Sequence, residues 1–576
     1  MKKLQYIIGF FTLLSMTQLS CTKKELAKLN TDPDILASAP PAGLFLSATL
    51  YTQNSFEYYY DLNRFIFPIS QIFTNSSKGV SSNTLTEGNT LQYRYNDFYS
   101  ASTTNGVGNY LTDAERQFKK LTAAQQAART SWIPIFHILK AYYAFYVSDV
   151  YGSVAYTQAF QAKEGILQPT YNSQQELFDT LDLQLKAAVA TLKTAAASSS
   201  ETQLGSYDLY FGTKADEITK WIKAANSLRL KIAMRLMKRD AAKMASIATE
   251  VLSDAVGVMA SNDDNWLFTP NNSYTGGAAG NWDPFSSGGG GKGIKGTIDF
   301  MWNNTDPRIH LLYKYNNYTQ ANINTAIAAG KLSAGTTEPT RRYVGSYASF
   351  DAANASANSR LQNTVSVNGS LTLDTLSSIQ DRLISPGNKD SSGSNGTGSA
   401  TFILISYADV CLMRAELAAR GVTSDNTQTW YEAGITASIG MYDAIATQAK
   451  VTGWGYKAAG STETTAYLAS TDVAYNSAKA LEQITTQEYI NYFLQPNEAW
   501  ALVKRTGYPN ASTTLVYETF MVNGSTAPYP RRATINYPSE SSDNYANQKA
   551  AIDAMAADAD FGVPADNTGR VWWDKK

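Results

Sequence analysis

The sequence predicts an all-α protein, and three observations carry that prediction. The stretch 401–421, TFILISYADVCLMRAELAARG, places Ser406, Asp409, Glu416 and Arg420 in one narrow sector of a helical wheel, with almost everything else round the wheel apolar. A helix of that kind needs neighbouring helices on most of its circumference. Apolar residues recur at helical spacing in many other segments, and cap residues flank several of them. Within 401–421, Ala408, Ala415 and Ala419 align, so a second helix can approach closely, and Gly421 stands where a left-handed C-terminal cap belongs. Arg414 projects from the apolar side and is expected to clamp a carboxylate or several carbonyls.

Taken in order, residues 1–20 read as an export signal: Met1-Lys2-Lys3 is basic, and 4–16 is mostly apolar but too short to span a bilayer. Cys21 follows Gln18-Leu19-Ser20, which resembles a bacterial lipoprotein cleavage box, although the usual Leu and small residue are replaced by Gln18 and Leu19. Lipid attachment at Cys21 is expected, because an exposed lone thiol on an exported protein is a liability; ordinary cleavage leaving a free thiol is the alternative. Residues 21–41, with Asn30-Thr31-Asp32-Pro33 and Pro40-Pro41, read as a tether, and 42–576 as one helical domain. Helices are predicted over 42–52, 58–73, 110–121 and 123–149, the last bent at Pro134. Ser173-Gln174-Gln175-Glu176 is a capping box that opens a helix to about residue 193, and 216–239 and 241–255 form another pair. From 257 to 400 the chain turns rich in Gly, Ser, Asn and Thr, yet aromatics are interspersed, so folded loops lying on the helical body are expected instead of a disordered linker. Helical periodicity returns at 402 and continues through 427–446, 473–505 and 543–557; no strict repeat period is visible.

Composition removes several function classes. A net charge of −1, or −3 once Lys2 and Lys3 leave with residues 1–20, and no basic block give no footprint for nucleic acid. Only two histidines occur, His137 and His310, without metal-ligand spacing, and neither HExxH nor CxxC is present, so no metal or cofactor is expected. Gly288 to Gly291 followed by Lys292-Gly293 lacks the Ser or Thr of a phosphate loop, and no GxSxG occurs. Cys411 lies inside the apolar helix and reads as a small hydrophobe.

What remains is a chain with 17% charged residues and 36 tyrosines, suited to ligands that are wet and weakly charged. A sugar ring packs its C–H faces on aromatic rings while its hydroxyls pair with amides and carboxylates. Trp266, Tyr274, Trp282 and Phe285, set among Asn262, Asp263, Asn281 and Asp283, are the candidate platform; the alternative is that these rings fasten loops to the core. Asp263-Asp264 beside Trp266 leaves a glycosidase conceivable, though adjacent acids in a loop are more often a turn. No catalytic residue is assigned.

Tyr407-Ala408-Asp409-Val410 and Met413-Arg414-Ala415-Glu416-Leu417 resemble the signature helix of the SusD/RagB proteins, nutrient-binding outer-membrane lipoproteins of Bacteroidetes-type bacteria. Asp149-Val150-Tyr151-Gly152, Lys220-Trp221 through Leu230, Asp306-Pro307-Arg308, Glu498-Ala499-Trp500, Arg505-Thr506-Gly507-Tyr508-Pro509, Pro530-Arg531-Arg532, Tyr537-Pro538, Glu540, Asn544 and Val571-Trp572-Trp573-Asp574 are similar to the SusD-like 2 branch. The resemblance implies tetratricopeptide-like helical hairpins forming a right-handed scaffold, with long irregular loops on one side. It also implies a non-catalytic binder of oligosaccharide, held at the outer membrane and exposed at the cell surface, which delivers its ligand to a SusC-like TonB-dependent transporter. A peptide-binding member, or a purely structural lid, is the alternative within the family. The matched Arg, Asn and Trp residues are expected to be scaffold.

Overall fold

The computed structural model describes residues 39–51, 57–74, 76–86, 91–101, 104–270, 291–362, 364–384 and 398–576. It is mostly helical, with 53% helix and 6% strand. Helix α1 (Pro41–Leu50) is followed by a π-helical segment, Glu57–Ile66, and by α2 (Gln92–Phe98), α3 (Val107–Phe118) and α4 (Trp132–Tyr151). Helices α5 (Gln174–Ala196), α6 (Glu217–Leu236) and α7 (Ala241–Ser253) continue the array, each packed on the one before it. The Ser173–Glu176 capping box at the start of α5 is present, with Glu176 N donating to Ser173 Oγ at 3.2 Å and Ser173 N to Glu176 Oε2 at 2.9 Å. The predicted helix over 123–149 is in fact two: a short one, Ala123–Ala127, and α4. Pro134 is the third residue of α4, in the first turn, where its missing N–H costs no helical hydrogen bond, so it marks the start of a helix and does not bend one.

Strand β1 (Trp266–Phe268) opens the loop excursion and β2 (Phe402–Ile405) closes it, paired antiparallel with Phe268 opposite Phe402. The apolar run 401–405 is therefore a buried strand and not the first turn of the signature helix. Ser406 is the N-cap that separates them, its Oγ accepting from Asp409 N at 3.1 Å while Asp409 Oδ2 accepts from Ser406 N. Short apolar runs do not distinguish buried strand from buried helix. The excursion contains α8 (Lys295–Asn303) and α9 (Gln320–Ala328), the latter contributing Ala326 to a small satellite cluster with Val367 and Leu373.

Then come α10 (Tyr407–Ala419), α11 (Thr427–Gln448), α12 (Ala480–Asn491) and α13 (Pro496–Thr506); α14 (Tyr545–Ala556) lies near the end. The predicted 473–505 helix is broken at Gln495, before Pro496 in the first helical position, and a short helix, Ser461–Leu468, lies where none was predicted. Helix α10 packs on α6, α11 and α12. Gly434 of α11 is the point of closest approach: a Cβ there would sit 2.6 Å from Leu412 Cγ. Gly421, at φ +70°, takes the left-handed position after α10.

The polar sector of α10 does not face water. Asp409 and Glu416 are fully buried. Asp409 accepts from Asn491 at 2.6 Å and from Lys231 at 3.2 Å, and Glu416 pairs with Arg505 at 2.6 Å and Arg420 at 2.7 Å. Arg235 of α6 bridges Asp149 of α4 and Glu498 of α13, both at 2.9 Å. Burial and the charge of Glu416 push the carboxyl of Glu488 up from 4.5 to about 8, so it is held protonated 3.5 Å from Arg505. Arg414 forms the expected clamp, bonding both oxygens of Asp425 at 2.8 and 3.0 Å and lying 3.6 Å over the Trp430 ring.

Replacing Arg505 by Leu leaves Glu416 and its neighbours buried with less compensation, and should cost roughly 3–5 kcal/mol in denaturant titration; Arg414→Ala, at a half-buried pair, should cost only about 1 kcal/mol. Glu488 binds a proton in the folded state that the unfolded chain gives up above 4.5, so its own contribution to stability falls as pH rises from there to about 8. Glu488→Gln removes that dependence, and its melting temperature should match wild type near pH 5 and exceed it increasingly toward pH 8.

Candidate functional site

Of the rings of the candidate platform, the described residues include Trp266. Trp266 is fully buried, its ring 5.2 Å from those of Tyr142 and Trp221, so it anchors β1 to the core and offers no face to a ligand. Tyr274, Trp282, Asp283 and Phe285 lie outside the described residues, as do Asn281 and Cys21. Asn262 donates to the carbonyl of Ala437 at 2.9 Å and so ties the loop to α11. Asp263 pairs with Lys214 and with Lys220, and these hold its carboxyl down at about 2. For buried Asp264 the desolvation is outweighed by Lys223 at 2.9 Å, the N–H of Ala260 at 2.8 Å and Lys220 at 2.9 Å, which keep it ionised. Neither acid is available as the protonated partner that glycoside hydrolysis needs.

A different set of residues does converge. A cavity of about 300 Å³ lies between α2, the C-terminus of α4, the tail segment 534–538 and α14. Helix α2 contributes Gln92, Tyr95 and Asn96, which share a face at helical spacing. It is fixed by Arg94, fully buried on the opposite side, whose guanidinium lies 3.6 Å over the Tyr146 ring and 3.4 Å from Glu57, while Arg94 N donates to Asp61 at 2.7 Å. Tyr151 is the last residue of α4, and Gly152 at φ +77° turns the chain so that Ser153 also reaches the cavity. Helix α14 supplies Gln548, Ala551, Ile552 and Met555 from one face. The tail is held by Arg532, which donates to the carbonyls of Ala533, Pro564, Phe561 and Val563, and by Ala533 N donating to Val150 O at 3.0 Å.

The lining combines tyrosines and amides with aliphatic and hydroxyl side chains such as Ile535, Ile552 and Thr534, and includes no charged side chain. The Tyr95 and Tyr151 rings lie 5.4 Å apart, tilted by 55°, and Tyr171 accepts from Gln548 at 2.9 Å. Burial pushes the phenols of Tyr95 and Tyr151 up, so both stay protonated. The side chains of Gln92, Asn96 and Asn536 have no hydrogen-bond partner among the described residues. Such a cavity can pack a small neutral ring against phenol faces and meet its hydroxyls with amides. It was not legible as a site in the sequence, because its residues are spread from position 92 to position 555. Two residues of the matched motifs, Tyr151 of Asp149–Gly152 and Pro538 after Tyr537, do line it. Among the described residues no cluster of His, Cys, Asp and Glu could hold a metal ion, and no helix is long and apolar enough to cross a membrane.

Comparison with solved structures gives the same architecture repeatedly. A chitin-binding protein superposes with a TM-score of 0.66 at 22% identity, covering 93% of this chain and 100% of its own. A SusD homologue from Bacteroides fragilis gives 0.62 at 20% identity over 93% and 100%. A chitin-binding SusD homologue from Flavobacterium johnsoniae gives 0.60 at 20% identity over 93% and 98%. No curated protein matches the sequence. The family model described as starch-binding and associating with the outer membrane matches residues 36–538, and on that match the chain belongs to the SusD-like 2 family.

Proposed function

We propose that this protein is a non-catalytic glycan-binding lipoprotein of the outer membrane that captures neutral oligosaccharides and passes them to a SusC-like TonB-dependent transporter. The observation that carries the binding step is the uncharged tyrosine and amide cavity formed by α2, α4 and α14. A peptide would bring charged termini or side chains, for which this lining has no counter-charge, whereas a pyranose needs only ring faces and neutral hydrogen-bonding groups. The family description and the chitin-binding names of two structural neighbours favour starch- or chitin-type oligomers. Tyr274, Trp282, Asp283 and Phe285 are retained as proposed further contacts to the ligand. In this reading residues 1–20 are removed, Cys21 carries the lipid, 21–41 is the tether, and 42–576 is the single ligand-handling domain. The transporter supplies the passage, and this chain supplies the capture.

Calorimetry with purified mature protein against malto- and chito-oligosaccharides tests the reading. Asn96→Ala and Tyr171→Ala should each weaken binding about tenfold, the equivalent of ~1.4 kcal/mol, with the melting temperature nearly unchanged. Because no charge lines the cavity, affinity should hold when salt rises from about 0.05 to 0.5 M, where a charge-paired ligand would be released. In cells, Cys21→Ala should move the protein from the membrane fraction to the soluble one; retention in the membrane would refute the anchor.

A further inference from the structure

We propose that Trp454 is a second glycan contact, a surface platform on which one sugar ring of a longer chain stacks. Trp454 is 42% exposed. Five other described tryptophans, Trp132, Trp221, Trp266, Trp500 and Trp573, are buried. Trp302, Trp430 and Trp572 are half-buried, and each carries an arginine over its ring. Trp454 has neither form of cover: among the described residues its ring makes no aromatic or cation contact, and its indole N–H has no acceptor.

The backbone adds an independent observation. Trp454 is held at φ +49°, in the left-handed region, between Gly453 at +65° and Gly455 at +83°. Glycine is at ease there and a bulky aromatic is not, so this position holds a tryptophan in a backbone conformation that costs it stability. The turn is nonetheless fixed. Tyr315 N donates to Trp454 O and Tyr456 N to Gly453 O, both at 2.8 Å, and the Tyr343 hydroxyl reaches Gly455 O at 3.3 Å. Gly455 lies so close to Tyr315 that a Cβ would meet that ring at 2.7 Å. A fixed turn therefore holds an indole that is 42% exposed and whose N–H has no acceptor among the described residues. A single ring is far smaller than the roughly 800 Å² per partner that a specific protein interface buries, but it matches the apolar face of one pyranose.

This inference rests on the glycan-binding reading, and the test separates the two. The probes are the hexamer of N-acetylglucosamine and maltohexaose, titrated into wild type, Trp454→Ala, Trp454→Gly and Tyr171→Ala. A bound hexamer should shield Trp454 from acrylamide quenching, an effect missing in Trp454→Ala. Both Trp454 variants should bind the hexamer about 5- to 20-fold more weakly. Trp454→Gly should at the same time melt about 2 °C higher, since glycine relaxes the turn, which excludes misfolding as the cause of lost binding. If Tyr171→Ala loses binding while both Trp454 variants keep wild-type affinity, the platform is refuted and the glycan reading stands. If neither hexamer binds wild type, both fall. Shielding of Trp454 by purified transporter and not by hexamer would make it a protein contact and overturn the assignment.

Discussion

Everything else in this molecule depends on the compensation of charge inside the helical array. Asp409 and Glu416 of α10, Lys231 and Arg235 of α6, Asp149 of α4, and Glu498 and Arg505 of α13 are all nearly or fully removed from water. A lone carboxylate or guanidinium at such depth would be prohibitive, so each helix can occupy its place only when its partners occupy theirs. Hydrophobic burial drives the helices together, but it is non-directional. The ion pairs are directional, and a helix slipped along its neighbour would separate them and leave buried charge uncompensated.

The same dependence explains which parts of the structure could be read in the sequence. The polar sector of Ser406, Asp409, Glu416 and Arg420 is visible on a helical wheel, and so is the need for neighbours around it. The identity of those neighbours is not, because Lys231, Arg505 and Asn491 are remote in the chain. Helix starts with strong local chemistry, such as Ser173 to Glu176, were legible because the cap is made within four residues. The strand 402–405 was not, since its pairing with 266–268 is a long-range event that leaves no mark on either short run. Trp266 was misread for a related reason. Its polar neighbours Asn262, Asp263 and Asp264 suggest a wet loop, yet they are engaged with Ala437 and with lysines of and beside α6, which lets the tryptophan between them sink into the core.

The tyrosine cavity shows how a neutral site can be carried by a charged scaffold. Arg94 puts all its charge on the far side of α2, against Glu57 and the Tyr146 ring, and Arg532 spends its donors on backbone carbonyls behind the tail. What these anchors leave facing the cavity is phenol, amide and aliphatic surface. The walls are ordered by interactions stronger than any they would offer a ligand, which lowers the entropy that binding must overcome.

The antiparallel ribbon of β1 and β2 brings residues 266 and 405 side by side, so the long intervening stretch starts and ends at one place, while Ile298, Met301, Leu312 and Tyr313 within it belong to the same core as the helices. Loop-closure entropy grows only with the logarithm of length, about 0.6 kcal/mol per doubling. Lengthening the stretch at an exposed turn therefore costs little, whereas replacing its buried residues would strip α11 and α12 of partners, since Arg308 donates to Ser438 at 3.0 Å and to Gln487 at 2.7 Å. A segment grafted from a relative between the two strands would have to bring its own equivalents of Arg308 and Tyr313, or the helices beneath would keep buried polar groups and ring faces with nothing against them.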